Sequence, residues 1–195
     1  MSDMHSNPAA ARRNRSVLLL VLVLFFGGML AAGVLRFSGW RPQGMKNKGE
    51  LLQPYGDLRH YAPTLAAGGV YRWQDSPRTW RIVAMPRDCD GARRVQCTQL
   101  LGNLDKVWRL MGREADRVHV LWAAAAPASL AGMREVHLLR ADAGLRARLA
   151  AGTAAEPGDD AVWLVDPNGF VVLRYAAGFD PGDLRTDLAR LLKVN

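Results

Sequence analysis

Two cysteines, Cys89 and Cys97, are the only thiols in this chain of 195 residues. Paired thiols can form a disulfide, exchange disulfides with another protein, or bind a soft metal ion such as Cu(I). Cys89 stands in a loop that precedes a long helical pattern. A thiol at a helix N-terminus has a lowered pKa, because backbone N–H groups and the helix dipole stabilise the thiolate. Cys89 is therefore the candidate catalytic residue and the candidate copper ligand; the alternative is an inert relic.

Cys97 begins a run of apolar residues at steps of 4, 3, 4 and 3 that ends near Gly112, which predicts one buried helix face. If that helix also covered residues 89–97, the two Cα atoms would lie ~12 Å apart, whereas a disulfide tolerates at most ~7 Å. The pair could close only if residues 89–97 are not one continuous helix. We interpret Cys97 as a structural residue of the core; the alternative is a functional partner of Cys89.

The four histidines are weaker candidates. His119 and His137 lie in two predicted strands, where each is interpreted as a core or edge residue. Together with Cys89 they could in principle form a copper site, but strand position alone predicts no convergence. His60 lies in a predicted linker and His5 in the N-terminal tail. The chain contains no Gly-rich phosphate loop, H-E-x-x-H or G-x-S-x-G, so nothing indicates nucleotide or hydrolase chemistry.

The formal net charge is +8 and the sequence pI is about 10.2, which raises the question of an anionic partner. The basic residues are spread along the chain with acidic residues between them. Nucleic-acid-binding proteins more often concentrate lysine and arginine in one stripe or tail, so we expect no nucleic-acid partner. Attraction to anionic lipid headgroups is the favoured use of the excess charge.

Residues 16–35 contain no charged side chain and would form a helix of ~30 Å, the thickness of the hydrocarbon core of a bilayer. Basic and aromatic residues that follow, including Trp40 and Arg41, are suited to the membrane interface. The alternative is a cleaved signal peptide with its cut near residues 31–33. The apolar stretch continues beyond that point, which favours an uncleaved signal anchor.

Membrane orientation does not follow from the charges. Three arginines precede the apolar segment, and four basic residues follow it closely (Arg36, Arg41, Lys46 and Lys48). The positive-inside count is nearly tied, so the charges do not decide on which side the C-terminal part lies.

We divide the chain into a basic tail (1–15), a transmembrane helix (16–36), a juxtamembrane linker (37–70) and a globular domain (71–195). The linker is rich in Gly and Pro and shows no sustained period. The domain reads as strand 80–85, a long helix, strand 118–124, a weak turn 128–133, strand 136–140, a short helix at Leu145 and Leu149, strands 161–165 and 170–175, and a final helix. Alternating β and α elements followed by a hairpin and a closing helix predict an α/β thioredoxin-like sandwich.

Two local signals are clear. Residues 166–169, Asp-Pro-Asn-Gly, join two apolar runs and supply the backbone angles of a hairpin turn. Asp180 followed by Pro181 predicts the start of the last helix, with Leu184, Leu188 and Leu191 as its buried stripe.

Several short motifs together resemble the Sco/SenC group, and in particular its short, divergent proteobacterial members. They are the membrane anchor, Gly49-Glu50-Leu51-Leu52 in the linker, a strand running into Asp88-Cys89-Asp90, and the late hairpin sequence at residues 164–169. Members of that group are membrane-anchored thioredoxin-fold assembly factors of cytochrome c oxidase.

The resemblance also implies a site. In that group a C-x-x-x-C motif and a distant histidine before the hairpin bind copper or act as a dithiol. Cys89 matches the first cysteine, but the second would fall at Arg93, and no histidine follows His137. Two of the three ligands are absent, which argues against copper transfer by the mechanism of that group.

We therefore expect a Sco-like accessory factor of oxidase biogenesis that is not an enzyme and carries no cofactor. The resemblance implies an inner-membrane protein with its domain in the periplasm. Partners would be oxidase subunits or assembly factors, bound around residues 87–94 and the loop before Ala161. The alternative is a periplasmic thiol-disulfide oxidoreductase or copper carrier that uses Cys89 with Cys97 or with a partner's cysteine. A third possibility is a membrane-tethered scaffold unrelated to oxidases.

Overall fold

The computed structural model describes residues 8–38, 46–73, 76–130, 132–153 and 158–194. The chain divides into two compact units, Met1–Lys46 and Asn47–Asn195, which are described separately below. His5, Trp40 and Arg41, which entered the sequence interpretation, lie outside the described residues.

The first unit contains one helix, α1 (Pro8–Phe37). Its part Arg15–Phe37 has 23 residues and a mean hydropathy of 2.8, and it is the one helix in the described ranges that is long and apolar enough to cross a membrane. Its large apolar side chains are exposed, as expected of a helix whose solvent is lipid. The predicted apolar N-terminal helix is confirmed, and its cleavage and orientation remain predictions.

The second unit is built on one six-stranded sheet in the order β1-β6-β5-β2-β3-β4. The strands are β1 (Glu50–Asp57), β2 (Trp80–Ala84), β3 (Val118–Trp122), β4 (Val136–Leu138), β5 (Val162–Val165) and β6 (Phe170–Tyr175). Strands β2, β3 and β4 run parallel to one another, while β5 is antiparallel to β2 and to β6, and β6 to β1.

Helices cover both faces of this sheet. They are α2 (Arg94–Arg109), α3 (Ala143–Ala150) and α4 (Pro181–Val194), with short 3-10 turns at Gly112–Arg117 and Ala128–Leu130. Side chains of α2 and α4 pack with one face of the strands, and those of α3 pack with the other. Successive residues of β2, such as Ile82 and Val83, therefore belong to different cores. The predicted α/β thioredoxin-like sandwich is confirmed.

Strand β1 lies inside residues 37–70, which we had predicted to be a linker, so that prediction missed an element of the sheet. Pro54 and Gly56 obscure the strand in the sequence, and its pairing with β6 is irregular between Leu51 and Gly56. An edge strand tolerates such residues because only one of its sides must form hydrogen bonds. Leu52 is nevertheless fully buried, which anchors β1 to the core.

The predicted hairpin is confirmed. Asp166 and Gly169 close the turn between β5 and β6, with the Gly169 N–H donating to the Asp166 carbonyl at 3.1 Å. The Asp166 side chain also accepts from the Phe170 N–H at 2.7 Å. Gly169 has φ +98°, a conformation that L-residues with a side chain rarely adopt.

The predicted start of α4 is also confirmed, since the Asp180 carboxylate accepts a hydrogen bond from the Gly182 N–H at 2.8 Å. The buried stripe differs by one position. Leu184, Leu188 and Leu192 are buried, whereas Leu191 is only partly covered.

The carboxylate of Asp187 in α4 holds the chain where it enters the sheet. Its Oδ2 atom accepts hydrogen bonds from the Lys48 N–H (2.7 Å), the Gly49 N–H (2.9 Å) and the Tyr175 hydroxyl (2.8 Å). Asp187 is 3% exposed. Burial and this carboxylate raise the pKa of the Tyr175 phenol far above its ordinary value, so the tyrosine remains a donor at physiological pH.

Replacing Asp187 with alanine should lower the free energy of unfolding by about 3 kcal/mol, because two buried donors and one partly buried donor lose their acceptor. Equilibrium urea unfolding followed by circular dichroism measures this loss. Asp183→Ala on the same helix is the matched control. Its carboxylate lies 3.9 Å from Lys48 Nζ in an exposed pair, for which about 0.5 kcal/mol or less is expected. Equal losses in the two variants would contradict the role assigned to Asp187.

Candidate functional site

Cys89 and Cys97 form a disulfide with their Cα atoms 5.6 Å apart. The condition for closing the pair is therefore met: residues 89–97 are not one continuous helix, and the ~12 Å separation of a continuous helix does not apply. Cys89 is 5% exposed and Cys97 is fully buried. Both belong to the core between α2, α4 and the sheet.

The disulfide can close because α2 begins at Arg94, five residues after Cys89. Asp88 has φ +56°, and its carbonyl accepts from the N–H groups of Gly91 and Arg93, both at 3.2 Å. Its carboxylate accepts from the Ala92 N–H at 3.2 Å. Residues 88–93 therefore form a tight turn and are not part of helix α2. A Cβ atom at Gly91 would approach Asp88 Oδ1 to 2.2 Å, so a side chain there would displace the Asp88 carboxylate from its contact with the Ala92 N–H.

In this state Cys89 is not a nucleophile, since its sulfur is bonded to that of Cys97. Thiol–disulfide exchange begins with a thiolate reaching one of the two sulfurs, and burial of both restricts that approach. The roles of Cys89 as catalytic residue or copper ligand, and of Cys97 as a purely structural residue, remain predictions.

Arginine and aspartate occupy the place where the resemblance to Sco implies ligands. Arg93, at the position of the second cysteine, pairs with Asp159 (Nη1–Oδ2, 2.8 Å) and with Asp160 (Nη2–Oδ2, 2.5 Å). Both aspartates precede the hairpin, where the histidine would be expected. Arg87 Nε also lies 3.4 Å from Asp159 Oδ1. The loop 87–93 and the segment before β5, which we expected to form one partner surface, thus lie side by side.

These residues do not fit a copper ion. A guanidinium is always protonated in proteins and offers no lone pair to a metal, so Arg93 cannot replace a thiolate ligand. Within the described ranges, no group of three or more His, Cys, Asp or Glu side chains converges on a possible metal position.

His119 and His137 meet at the other end of β2. Their ring centroids are 4.4 Å apart, and the Tyr71 hydroxyl lies 2.7 Å from His119 Nδ1. Arg81 Nε donates to that hydroxyl at 3.0 Å. His119 pairs in register with Arg81, near the start of β2, whereas Cys89 follows the end of this strand, which is about 16 Å long.

Sequence reasoning therefore missed the contact between the two histidines, which requires the parallel register of β3 and β4. The described structure does not bring the two imidazoles to Cys89, which follows the other end of β2. Burial lowers the pKa of His119 to about 4, assisted by His137 and Arg81, and burial also lowers the pKa of His137. Both imidazoles are neutral at pH 7, and the nearby Arg81 guanidinium disfavours a cation between them.

The low pKa of His119 predicts acid sensitivity. The unfolded chain takes up this proton near pH 6.5 and the folded chain near pH 4, so stability is complete above pH 6.5 and decreases as the pH falls towards 4. The slope should be at most about 1 kcal/mol per pH unit, because the ring is partly exposed. Urea unfolding at several pH values should show a flatter profile for His119→Gln. The exposed His60→Gln variant should behave as wild type; a wild-type profile in His119→Gln would refute the assignment.

The disulfide should contribute about 2–3 kcal/mol, the loop-closure entropy expected for a loop of this length. Reduction with dithiothreitol should lower the urea midpoint of the wild-type chain by the corresponding amount. The double variant Cys89→Ala/Cys97→Ala is the control, because reductant should leave its midpoint unchanged. A wild-type midpoint that does not respond once both thiols are shown to be free would contradict this prediction.

Comparison with known proteins places this geometry in context. No curated protein matches the chain significantly. One similar solved structure is that of BsSco, a member of the Sco family of cytochrome c oxidase assembly proteins in which a disulfide switch was identified. It is 12% identical to this chain, and the match covers 78% of this chain and 99% of BsSco with a TM-score of 0.50. This likeness shows a shared fold.

Two further solved structures are similar. A SCO1/SenC family lipoprotein from Bacillus anthracis is 14% identical and covers 78% of this chain and 99% of its own, with a TM-score of 0.47. Yeast Sco1 with copper bound is 13% identical and covers 78% and 96%, with a TM-score of 0.46. Sco proteins are thus among the structural neighbours of this chain, as the resemblance predicted.

A family model described as "Transmembrane-like, thioredoxin-like, C-terminal domain" matches residues 80–195. The match begins at β2 and extends over both cysteines, the ion-paired loops and the closing helix. Because it spans more than half of the chain, this protein belongs to the transmembrane-like, thioredoxin-like C-terminal domain family.

Proposed function

We propose that this protein is a membrane-anchored, Sco-like accessory factor in the biogenesis of a respiratory cytochrome c oxidase, and that it acts by binding partners without catalysing thiol exchange. The shared fold with BsSco, a member of a family of oxidase assembly proteins, supports the pathway. The apolar helix Arg15–Phe37 supports a single-pass anchor. We place the anchor in the inner membrane and the domain in the periplasm, by analogy with the Sco group.

The ion pairs of Arg93 with Asp159 and Asp160 are the observation that carries the non-catalytic part. They occupy the positions at which a Sco protein would hold its second thiolate and its imidazole. All three side chains are only partly exposed, so breaking the pairs to admit another ligand would leave charges with reduced solvation. The buried disulfide then serves to hold the loop that presents this surface.

The surface formed by residues 87–94 and 158–160 is the partner site of this proposal. Arg87 and Arg94 are exposed at its rim, and Arg87 contacts Asp159 while the Arg94 guanidinium donates to the Asp90 carbonyl. Mixed charges of this kind favour specific, electrostatically complementary binding over adhesion to any anionic protein.

Deleting the gene should lower the activity and copper content of the oxidase in isolated membranes, and the wild-type gene should restore both. Arg87→Glu/Arg94→Glu should fail to restore them, because the charge of the partner surface is reversed. Arg72→Glu/Arg140→Glu, with the same change in net charge at exposed positions elsewhere, is the matched control and should restore them. Membrane levels of each variant are measured by immunoblot. Unchanged oxidase after deletion would refute the proposed pathway.

The disulfide favours a second candidate, a periplasmic thiol-disulfide oxidoreductase. In that reaction a partner thiolate attacks Cys89 Sγ and releases the Cys97 thiolate; a second partner thiol then displaces Cys89, which leaves an oxidised partner and a reduced Cys89–Cys97 dithiol. Complementation with Cys89→Ala/Cys97→Ala separates the candidates. Restored oxidase supports the accessory role, whereas loss of oxidase at a normal level of folded variant supports the oxidoreductase only if the partner's thiols also accumulate in the reduced form, because a purely structural disulfide would leave their redox state unchanged.

A further inference from the structure

A cleft of about 460 Å³ lies between the end of α2 and α4, on the face of the sheet that these two helices cover. Its apolar part is formed by Leu110, Met111, Ala189 and Leu192. Leu110 is 61% exposed, so its apolar side chain is open to a molecule that approaches the cleft. The cleft takes no part in the site around Cys89.

The rim of this cleft is strongly basic. Four cationic side chains line it (Arg113, Arg117, Arg185 and Lys193), against one carboxylate, that of Glu114. Arg113 and Arg117 both contact Glu114, at 3.4 and 2.9 Å. Among the described residues, neither Arg185 nor Lys193 has a carboxylate within 4 Å. The cleft thus has an excess of three positive charges around an apolar floor.

The covalent chain limits how far the domain can move from a bilayer that holds α1. Residues 38–49 connect α1 to β1, and these twelve residues can span at most about 40 Å. A tether of that length gives a high effective concentration of lipid headgroups at the domain, so weak individual contacts are sufficient. An apolar floor inside a cationic rim matches the boundary between acyl chains and phosphates in an anionic leaflet.

We propose that this cleft docks the domain on anionic lipid headgroups of the membrane that holds the chain. The inference rests on the membrane anchor of the proposed function, and it is independent of any role in oxidase biogenesis. Arg185 and Lys193 bind headgroup phosphates, and Leu110 enters the interface between them. Each such cation contributes about fivefold to the ratio of docked to undocked domain.

Hydroxyl-radical footprinting of the full chain in lipid nanodiscs tests this proposal. Oxidation of Leu110 should be at least threefold lower in nanodiscs that contain phosphatidylglycerol than in nanodiscs of pure phosphatidylcholine. Val95, near the opposite end of α2 and 64% exposed, is the internal control and should be oxidised equally in both. High salt should remove the protection of Leu110, because screened charges no longer hold the headgroups.

Charge reversal at the rim provides the decisive comparison. Arg185→Glu/Lys193→Glu should reduce the docked-to-undocked ratio by at least about 25-fold, fivefold for each cation lost, so Leu110 is oxidised equally in both lipids. Arg72→Glu/Arg140→Glu should keep the wild-type protection. Equal oxidation of wild-type Leu110 in both lipids, or protection only after native membrane proteins are added, would overturn the proposal, the latter in favour of an acidic protein partner. Failure of the chain to incorporate into any nanodisc would instead refute the anchor itself.

Discussion

The turn held by Asp88 is the local constraint on which the site depends. The Asp88 carbonyl and carboxylate accept hydrogen bonds from N–H groups that would otherwise lie in the first turn of a helix. As a result, α2 starts only at Arg94. This delay brings Cys89 back over Cys97, and it also sets Arg93 beside the aspartates that precede β5. Without the turn, a helix continuing back to Cys89 would separate the sulfurs beyond bonding distance. The disulfide and the ion pairs are therefore two results of one backbone arrangement.

The chemistry-bearing side chains of the domain are divided between the two ends of β2. The disulfide and the arginine–aspartate pairs lie beyond its C-terminal end, and the His119–His137 pair lies near its beginning. The division follows from the parallel arrangement of β2 and β3, which places Arg81 opposite His119. A thioredoxin-like sheet can thus keep neutral, half-buried imidazoles while the thiol loop carries a separate network of charges.

The sequence predicted those features that depend on neighbouring residues. The hairpin at residues 166–169 and the start of α4 at Pro181 follow from turn and capping preferences, and both are found. The contact between the histidines could not be predicted, because it needs the register of two strands. Whether residues 89–97 are helical was left open, although the apolar period begins only at Cys97 and Gly91 signals a turn. Strand β1 was not predicted because Pro54 and Gly56 interrupt the alternation of apolar and polar residues that is typical of a strand.

The hydrogen bonds of Asp187 have a mechanical consequence for a tethered domain. Tension on the segment that leads to the membrane reaches the domain at Lys48 and Gly49, just before edge strand β1. Pulled directly, an edge strand would peel from its neighbour one pair of residues at a time. The Asp187 carboxylate of α4 binds both N–H groups just before β1 begins. The force is therefore transmitted to a helix that packs against the core, and the hydrogen bonds between β1 and β6 do not bear it first.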